Sequence, residues 1–527
     1  MINWVALSVF IFFFLLVTVL GFFAARWRKG DLNKLDEWGL AGRRFGTIVT
    51  WFLLGGDLYT AYTFVAVPGL IYATGAQGFF AVPYTILVYP LIFLLMPKFW
   101  SVCKQHGYVT PADFVQGRFG SSTLALLIAI TGIVATMPYI ALQMFGIAVS
   151  IAQMGVNVEL ALVIAFLILA AYTYTSGLRA PAMIALVKDT MIFIVLFAAI
   201  IIIPAKLGGF GVIFDAVHKK EAATLLFNAT HKTSPKPAFY EILQPSQFLP
   251  YTTLALGSAL ALFLYPHSLT GTLSSNSREV VKRNAALLPI YSLMLGLLAL
   301  LGYMAIAAKV HLPAAYGSNG AVPALIDQMF PAWFAGFAFA AISIGALVPA
   351  AIMSIAAANL FTRNIYRQYI RPHYSEREES SVAKLTSLVI KLGALLFIIF
   401  VPAPFIINFQ LLGGILIIQT LPAVFLGLYT NWFNRWALVV GWAAGMISGI
   451  WLFVVANYGA VYTFNLGGNK LGIYTALSSV ILNFVLAIIL TPIFNAAGLR
   501  AGKDATSASD YEAPILEPKE PVSEALG

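Results

Sequence analysis

The sequence predicts an all-α integral membrane protein with about 13 transmembrane helices. Three observations lead to this fold class. The composition is 60% hydrophobic and only 10% charged, the mean hydropathy is +0.87, and apolar runs of about 20 residues recur along the chain. Soluble proteins carry about a quarter charged residues, because their surfaces face water. The 527-residue chain therefore has too little polar surface for a soluble globular fold.

The apolar runs divide the chain into spans and short loops. The first run lacks the basic start of a cleaved signal peptide and is followed by basic residues, so we predict that it is retained. Together the spans form one transmembrane transporter domain over residues 1–500, with a core of spans 2–11 at about 45–428. Residues 501–527 are predicted to be a disordered cytoplasmic tail. The predicted spans are 4–25, 45–72, 77–96, 121–153, 158–176, 181–205, 247–272, 284–308, 333–361, 382–402, 405–428, 436–457 and 472–496.

Lysine and arginine concentrate in alternate short loops, which is the pattern of cytoplasmic loops. The loop after span 9, for example, contains Arg363 and Arg367, whereas the opposite short loops carry only Lys309 and Lys470. We therefore predict that the amino terminus lies outside the cell membrane and the carboxyl terminus inside. The longer segment 206–246 is placed outside.

The composition excludes several other classes of function. The net charge of +10 does not indicate nucleic-acid binding, because the basic residues are spread over short loops between spans. A single cysteine, Cys103, excludes a disulfide framework or a multi-cysteine metal site. The six histidines are scattered without the spacing of metal ligands. We predict no enzyme activity, no cofactor beyond a coupling ion, and the lipid bilayer as surroundings.

The second apolar run contains two glycines and an acid, Gly55, Gly56 and Asp57. A glycine pair allows a helix to open, and open backbone at membrane depth is tolerated only where it lines a cavity. An ionisable residue at that depth indicates a functional site. The alternative is that Asp57 serves only as the cap of the half-helix that follows. Tyr59 and Thr60 add hydroxyl groups beside the predicted break.

A second interrupted helix is predicted in span 7. Gly257 loosens this helix and Pro266 removes a backbone donor, so the helix can also open. Two interrupted helices five spans apart are typical of an inverted repeat with the binding site between its halves. Tyr265 and His267 flank the proline. For His267, a structural hydrogen bond and a role in proton or substrate binding are both open.

Charged and amide side chains also lie inside other predicted spans. Span 6 contains Lys188 and Asp189, which as neighbours on a helix are expected to have different partners. Lys391 in span 10 has no surrounding motif. Gln143 in span 4 and Gln410 in span 11 are suited either to line a polar path or to join helices by hydrogen bonds.

Several of these spans, and the turns beside them, contain distinctive short motifs. They are Gly55-Gly56-Asp57-Leu58-Tyr59, Val67-Pro68-Gly69-Leu70-Ile71-Tyr72, Tyr174-Thr175-Ser176-Gly177-Leu178-Arg179-Ala180, Tyr265-Pro266-His267, Gly345-Ala346-Leu347-Val348-Pro349-Ala350-Ala351 and Leu360-Phe361-Thr362-Arg363-Asn364-Ile365-Tyr366. In this order, over about residues 1–495, they resemble the sodium:solute symporter family, and within it the bacterial monocarboxylate permeases. The resemblance implies a five-plus-five inverted-repeat (LeuT-like) core and alternating access. It also implies uptake of lactate, pyruvate, related short acids and alanine across the cell membrane.

The chain departs from that family at one important place. Many members hold sodium between backbone oxygens of the span 2 break and two hydroxyl side chains of span 9. In an ungapped alignment these hydroxyls fall on Val348-Pro349, the usual Thr-Asp of span 6 falls on Ile184-Ala185, and the following glutamine falls on Lys188. A hard cation needs oxygen ligands, yet here several are missing and an amine is present. Our hypothesis is that Lys188 stands in for sodium and that protonation of Lys188 or Asp57 couples transport.

Two alternatives stay open at this point. Sodium could be held by carbonyls near Gly55, Leu58 and Gly345, together with Ser354, in a symporter of another small organic solute. A passive channel or facilitator would also line a path with polar groups, although paired broken helices favour a two-state carrier. The exact substrate and the oligomeric state are not predicted. The candidate residues are Asp57, Tyr59, Thr60, Gln143, Tyr265 and Gln410 for the substrate, and Asp57, Lys188 and Asp189 for coupling.

Overall fold

The computed structural model describes residues 2–27, 30–231, 237–373, 375–400, 406–499 and 502–512. Within these ranges the protein is helical except for one β-hairpin. Short 3₁₀ or π turns join several helices, among them the π turn Tyr62–Ala66 between α3 and α4. The elements are α1 Trp4–Phe23, α2 Leu35–Leu40, α3 Thr47–Leu58, α4 Val67–Thr74, α5 Ala81–His106, α6 Pro111–Phe119, α7 Ser122–Ala152, α8 Val158–Ser176, α9 Arg179–Leu207, α10 Phe210–Thr230, α11 Pro245–Leu262, α12 Pro266–Leu273, α13 Arg278–Leu287, α14 Pro289–Ala307, α15 Ala321–Met329, α16 Ala332–Phe361, α17 Glu376–Phe400, α18 Ile406–Ile417, α19 Leu421–Val424, α20 Arg435–Val455, β1 Val461–Leu466, β2 Asn469–Tyr474 and α21 Thr475–Ala496.

Eleven helices in the described part of the chain are long and apolar enough to cross a membrane, and two bent helix pairs add to them. The pair α3 and α4 bends by 45°, and the pair α11 and α12 bends by 47°. If each bent pair is one span, the count becomes 13, which is the predicted number. The two broken spans lie where the sequence predicts interrupted helices. The orientation of the termini stays a prediction.

Helix α16 lies at the centre of the bundle and is buried along most of its length. It packs against α1, α7, α9, α12 and α17. Small residues make this possible, because they allow helix backbones to approach closely in a membrane. At Gly336, for example, a Cβ atom would lie 2.2 Å from the carbonyl oxygen of Ala6. The small residues of α16 therefore allow its neighbours to pack closely against it.

A β-hairpin, which the sequence analysis does not predict, joins α20 to α21. Strands β1 and β2 pair antiparallel, with Val461 opposite Tyr474 and Leu466 opposite Asn469. The turn residues Gly467 and Gly468 have φ angles of 57° and 85°, which glycine adopts without strain. The hairpin packs on α11 and ends at Tyr474, whose side chain enters the core.

Residues 502–512, which belong to the tail predicted to be disordered, make side-chain contacts with the helical bundle. Asp504 accepts a hydrogen bond from Arg118 at 2.7 Å, and Asp510 lies 2.8 Å from the His106 ring. Although burial raises the pKa of Asp510, its hydrogen bonds with His106 and Ser507 outweigh burial and hold it below the ordinary value. Acidic side chains thus dock this segment on His106 at the end of α5 and Arg118 near the end of α6, an attraction that its composition does not reveal. Residues 513–527 lie outside the described residues.

A charged cluster fastens α2 to the start of α9. The guanidinium of Arg179 is only 1% exposed, and it pairs with the Glu37 carboxylate and donates to the Glu37 carbonyl oxygen at 2.9 Å. Arg44 donates to the same carboxylate at 2.6 Å. Next to this cluster, the indole of Trp38 donates to the carbonyl oxygen of Thr173 at 3.2 Å. The segment that leads into α3 is therefore tied to the turn between α8 and α9.

We expect the Glu37→Gln substitution to lower the midpoint of thermal unfolding in detergent, because Arg179 would keep its charge without a carboxylate partner. Removing one partner of a buried ion pair costs about 3–5 kcal/mol, whereas an exposed pair contributes about 0–1 kcal/mol. Glu376→Gln is the matched control, because Glu376 pairs with Lys34 at 3.1 Å in an exposed position. Equal midpoints for the two variants would contradict this account of the cluster.

Candidate functional site

The break in α3 lies three residues beyond the glycine pair that the sequence indicates. The helix continues through Gly55 and Gly56 to Leu58, and the chain is irregular only from Tyr59. The glycines serve close packing instead. A Cβ atom on Gly55 would lie 2.1 Å from the ring of Tyr291, and one on Gly56 would lie 3.0 Å from the Lys188 ammonium. The predicted opening at Gly55-Gly56 is therefore corrected to an opening just after them.

Side chains satisfy the backbone amides that this break exposes. The amide of Thr60 donates to the Thr63 hydroxyl at 3.0 Å, and that of Tyr62 donates to the Thr60 hydroxyl at 3.0 Å. The amide of Ala61 donates to Gln143 Oε1 at 3.1 Å. Thr60 and Gln143, predicted as substrate ligands, are thus engaged in holding the broken helix. Both are buried.

Asp57 does not cap the half-helix that follows, so the alternative that it serves only as a helix cap is wrong. It belongs to the last turn of α3, so its carboxylate is directed away from the amides beyond the break and towards α12. There, Oδ2 accepts a hydrogen bond from Ser268 at 3.3 Å and lies 3.5 Å from Nε2 of His267. The second oxygen, Oδ1, is buried without a hydrogen-bond partner among the described residues.

Lys188 occupies the opposite side of the α3 break. Its ammonium donates to the carbonyl oxygens of Gly56 at 2.5 Å and Tyr59 at 3.0 Å, and it lies 3.1 Å from Asp189 Oδ1. Both charged side chains are fully buried. The expectation that these neighbours have different partners holds for their hydrogen bonds, but the long lysine side chain also bends back to form an ion pair with the carboxylate. Asp189 is held in turn by the Tyr291 hydroxyl at 2.9 Å.

Tyr59 has its side chain in this second cluster. Its hydroxyl donates to the carbonyl oxygen of Tyr291 at 3.0 Å, and its ring packs on Phe193 and Tyr291. Tyr59 was predicted as a substrate residue. In the structure its carbonyl oxygen contributes to the Lys188 site, while its ring supports Tyr291.

The four residues predicted for sodium do not all meet at the break. Gly345 of α16 does, since a Cβ atom there would lie 3.9 Å from the carbonyl oxygen of Tyr59. The carbonyl of Gly55 accepts the amide of Tyr59 at 3.1 Å, and the Leu58 side chain is half-buried beside Tyr59. The Ser354 hydroxyl instead donates to its own helix at Ala351.

Ser354 belongs to a separate polar chain between α16 and α17. Ser387 donates to the Ser354 hydroxyl at 3.2 Å, and the ammonium of Lys391 donates to Ser387 at 2.8 Å. Lys391 is 2% exposed. These residues therefore form no part of the oxygen set at the α3 break.

A small chamber of about 30 Å³, lined by tyrosines, lies between the two broken helices. Tyr265 of the second break and Gln410 of α18, both predicted for the substrate, contribute to its wall. The Tyr265 hydroxyl and Gln410 Oε1 have no hydrogen-bond partner in the part of the chain that the structure describes. Such unpaired polar atoms are typical of a site that a polar ligand fills. The polar lining consists of Tyr62, Tyr84, Tyr139, Ser258, Tyr265, Gln410 and Tyr474.

His267 connects this chamber to Asp57. Its ring centroid lies 5.5 Å from that of Tyr139 and 5.3 Å from that of Tyr265, and these two tyrosine rings are 5.6 Å apart. His267 itself is 1% exposed, and its Nδ1 has no partner among the described residues. The path from the chamber wall to the buried carboxylate therefore runs through the imidazole.

The predicted site lacks five polar residues of the chamber, Tyr84, Tyr139, Tyr62, Ser258 and Tyr474. Each of the first two is a hydroxyl-bearing residue inside an apolar span, where a buried hydroxyl needs a partner or a ligand. Tyr474 ends β2, and the Gly467-Gly468 pair between alternating residues was the available signal for that hairpin.

The model of the sodium:solute symporter family matches residues 38–449. The chain is 53% identical to the "Monocarboxylate transport permease protein" of Rhizobium johnstonii over 496 residues, which cover 94% of this chain and 98% of the relative. It is 32% identical to the "Uncharacterized symporter YodF" of Bacillus subtilis, over 93% of this chain and 94% of the relative. These matches confirm the predicted family resemblance.

Solved structures support the fold. A Na⁺-coupled sialic acid symporter in a substrate-bound outward-open state superposes with a TM-score of 0.70 at 17% identity, over 93% of this chain and 98% of that one. Mhp1, a nucleobase-cation-symport-1 family transporter, gives a TM-score of 0.50 at 11% identity, over 91% and 98%. The structure is a LeuT-like helical bundle. The chain belongs to the sodium:solute symporter family, and it is a cation-coupled solute transporter rather than an enzyme.

Proposed function

We propose that the protein carries short monocarboxylates, such as lactate and pyruvate, and alanine, into the cell together with protons. The two broken helices hold the substrate between them and move by alternating access. One observation carries the choice of proton over sodium. The ammonium of Lys188 is bonded to the carbonyl oxygens of Gly56 and Tyr59, at the break where the family pattern has a cation.

The chemistry of this site favours a resident ammonium. Sodium is a hard cation that needs several oxygen ligands at short distance. Here two carbonyl oxygens of the break already accept from Lys188, whose ammonium is itself a compact cation. Val348 and Pro349 supply no hydroxyl where the family pattern places two. With its place taken by a lysine, sodium has no evident set of ligands at this break.

The charge of the site also favours a proton. Asp57 is buried close to the chamber, and a monocarboxylate beside an ionised aspartate is repelled unless a positive charge accompanies it. In a poorly hydrated site this repulsion amounts to several kcal/mol. A proton bound near Asp57 removes this repulsion.

The chamber wall supports a small acid as substrate. Its described polar lining consists of tyrosine, serine and glutamine side chains without lysine or arginine. A carboxylate would therefore meet hydroxyl and amide donors, which orient it without holding it as tightly as a guanidinium does. The name of the Rhizobium relative, a monocarboxylate transport permease, agrees with this class of substrate.

A sodium-coupled symporter is the second candidate. It is favoured by the contact of Gly345 with the α3 break and by the sodium coupling of the sialic acid symporter. A passive facilitator is the third, because a polar chamber alone does not distinguish it from a carrier.

Proteoliposomes separate these candidates. We expect labelled lactate to accumulate under an imposed inward proton gradient. This accumulation should disappear when a protonophore is added, and it should not change when sodium is replaced by choline. Accumulation that needs sodium and ignores the proton gradient would establish the sodium symporter instead. Counterflow of labelled lactate against unlabelled lactate identifies a carrier, since a passive channel cannot produce it.

Replacing Lys188 with alanine is expected to reduce lactate uptake about a hundredfold or more, because the break carbonyls and Asp189 would be left buried and unpaired. Lys391→Ala is the matched control, since Lys391 is equally buried but bonded to a single serine hydroxyl away from the break. Uptake per folded transporter is the measurement. If Lys188→Ala transports normally and Lys391→Ala does not, the proposed role of Lys188 is refuted.

Removing the Tyr265 hydroxyl is expected to weaken lactate binding about tenfold without lowering thermal stability, because that hydroxyl has no partner among the described residues. Tyr59→Phe provides the contrast. It removes a hydrogen bond to the Tyr291 carbonyl oxygen, so it should lower the unfolding midpoint while lactate binding changes little. Lactate affinity and the unfolding midpoint are measured for both variants. A Tyr265→Phe variant with unchanged affinity would remove Tyr265 from the site.

A further inference from the structure

We propose that His267 and Asp57 form one shared proton-binding site, and that His267, rather than Lys188, carries the coupling proton. This inference rests on the proposed proton-coupled transport of monocarboxylates. It is drawn from the second broken helix, where the role of His267 was left open between a structural hydrogen bond and the binding of a proton or substrate.

The geometry joins the two broken helices at this pair. His267 lies in the first turn of α12, and Asp57 lies in the last turn of α3. Their nearest atoms, Nε2 and Oδ2, are 3.5 Å apart, and Ser268 also donates to Oδ2. Each partner keeps one buried polar atom without a partner in the described structure, Nδ1 on the imidazole and Oδ1 on the carboxylate. The pair is therefore only half satisfied as it stands.

The unpaired nitrogen is the position that a proton would take. A neutral imidazole has one N–H donor and one acceptor nitrogen. With Nε2 facing a carboxylate, the fitting tautomer carries its hydrogen on Nε2 and leaves Nδ1 as the acceptor. A proton from water on one side of the membrane binds Nδ1, and the same proton leaves to water on the other side. The imidazolium then holds two N–H donors, between the Asp57 carboxylate and the tyrosines of the chamber.

The balance of buried charges supports this site. Lys188 and Asp189 form a close pair that is neutral as a whole. An ionised Asp57 is then an uncompensated negative charge between the broken helices, and His267 is the basic side chain in contact with it. A proton on the pair cancels that charge, so a monocarboxylate can approach the chamber.

Few other titratable groups act on the imidazole. Helix α16, which packs against α12, carries no titratable residue. On α2, the acids Asp36 and Glu37 pair with Arg43 and Arg179. The titratable groups nearest the imidazole are Asp57 on α3, Tyr84 and Tyr89 on α5, Tyr139 on α7 and Tyr265 beside α12, with the Lys188–Asp189 pair beyond Asp57. Helix α5 also carries Lys98, Cys103, Lys104 and His106, all in its carboxyl-terminal part.

Lys188, by contrast, has no vacant position. An ammonium has three N–H donors, and those of Lys188 face the Gly56 carbonyl, the Tyr59 carbonyl and Asp189. Loss of its proton would leave these acceptors short of a donor in a buried site. Lys188 is thus a fixed cation that holds the break, and the mobile charge belongs to the other broken helix.

The test compares His267→Gln with the wild-type transporter in proteoliposomes. Glutamine can place an amide near the Nε2 position and keep a hydrogen bond to Asp57, but it cannot take up a proton. In the wild type we expect the KM for lactate in counterflow to rise from about pH 5 to about pH 8, because lactate binding requires a proton on the His267–Asp57 pair and the proton concentration falls over this range. In His267→Gln this pH dependence should flatten, and lactate-driven proton entry should fall about tenfold or more. His311→Gln, at an exposed position, is the control.

A second variant keeps the test decisive if His267→Gln does not fold. It retains His267 and replaces the other histidines, namely His106, His218, His231, His311 and His373. Nitrogen NMR of its single imidazole should show protonation that depends on lactate, and the variant should still move protons with lactate. An imidazole that stays neutral, or a His267→Gln variant with unchanged proton entry, overturns the inference. A wild type that moves lactate without protons overturns the proposed function itself.

Discussion

The fold of the core depends on one contact, the ammonium of Lys188 on the carbonyl oxygens of Gly56 and Tyr59. A helix that opens inside a membrane exposes backbone groups that lipid cannot satisfy. On one side of the α3 break, the lysine supplies donors to the carbonyls. On the other side, Thr60 and Gln143 supply acceptors to the amides. Because side chains complete this break, the open backbone can persist without a bound ion.

The two broken helices are therefore not equivalent, although they bend by similar angles. The break in α3 is satisfied by side chains of α7 and α9, whereas the region around α12 keeps unpaired polar atoms on His267 and Tyr265. Unpaired buried groups raise the free energy of the empty state. A polar substrate or a proton that pairs with them is bound more tightly for this reason. In the proposed transport cycle the first break therefore serves as scaffold, and the second break together with Asp57 provides the binding chemistry.

The sequence was sufficient to predict the helical membrane fold, the family and the two interrupted spans, because apolar runs, glycines and prolines report these features directly. It misplaced the α3 break, because Gly55 and Gly56 look like a hinge but serve to admit Tyr291 and Lys188. The tyrosine chamber could not be predicted from the sequence. Those tyrosines come from separate elements, and Tyr474 enters from a hairpin, so only the packing of the bundle brings them together.

When the cation at the break is a lysine side chain, another group must couple transport to an ion gradient. A sodium ion contributes the free energy of its gradient because it binds from one side of the membrane and dissociates to the other. The ammonium of Lys188 cannot leave its helix, so its charge alone transfers no energy from an ion gradient. Accumulation of a solute then requires some group that exchanges an ion with both sides. Asp57 and His267 lie beside the chamber and each retain an unpaired atom, which makes this pair the natural position for that exchange.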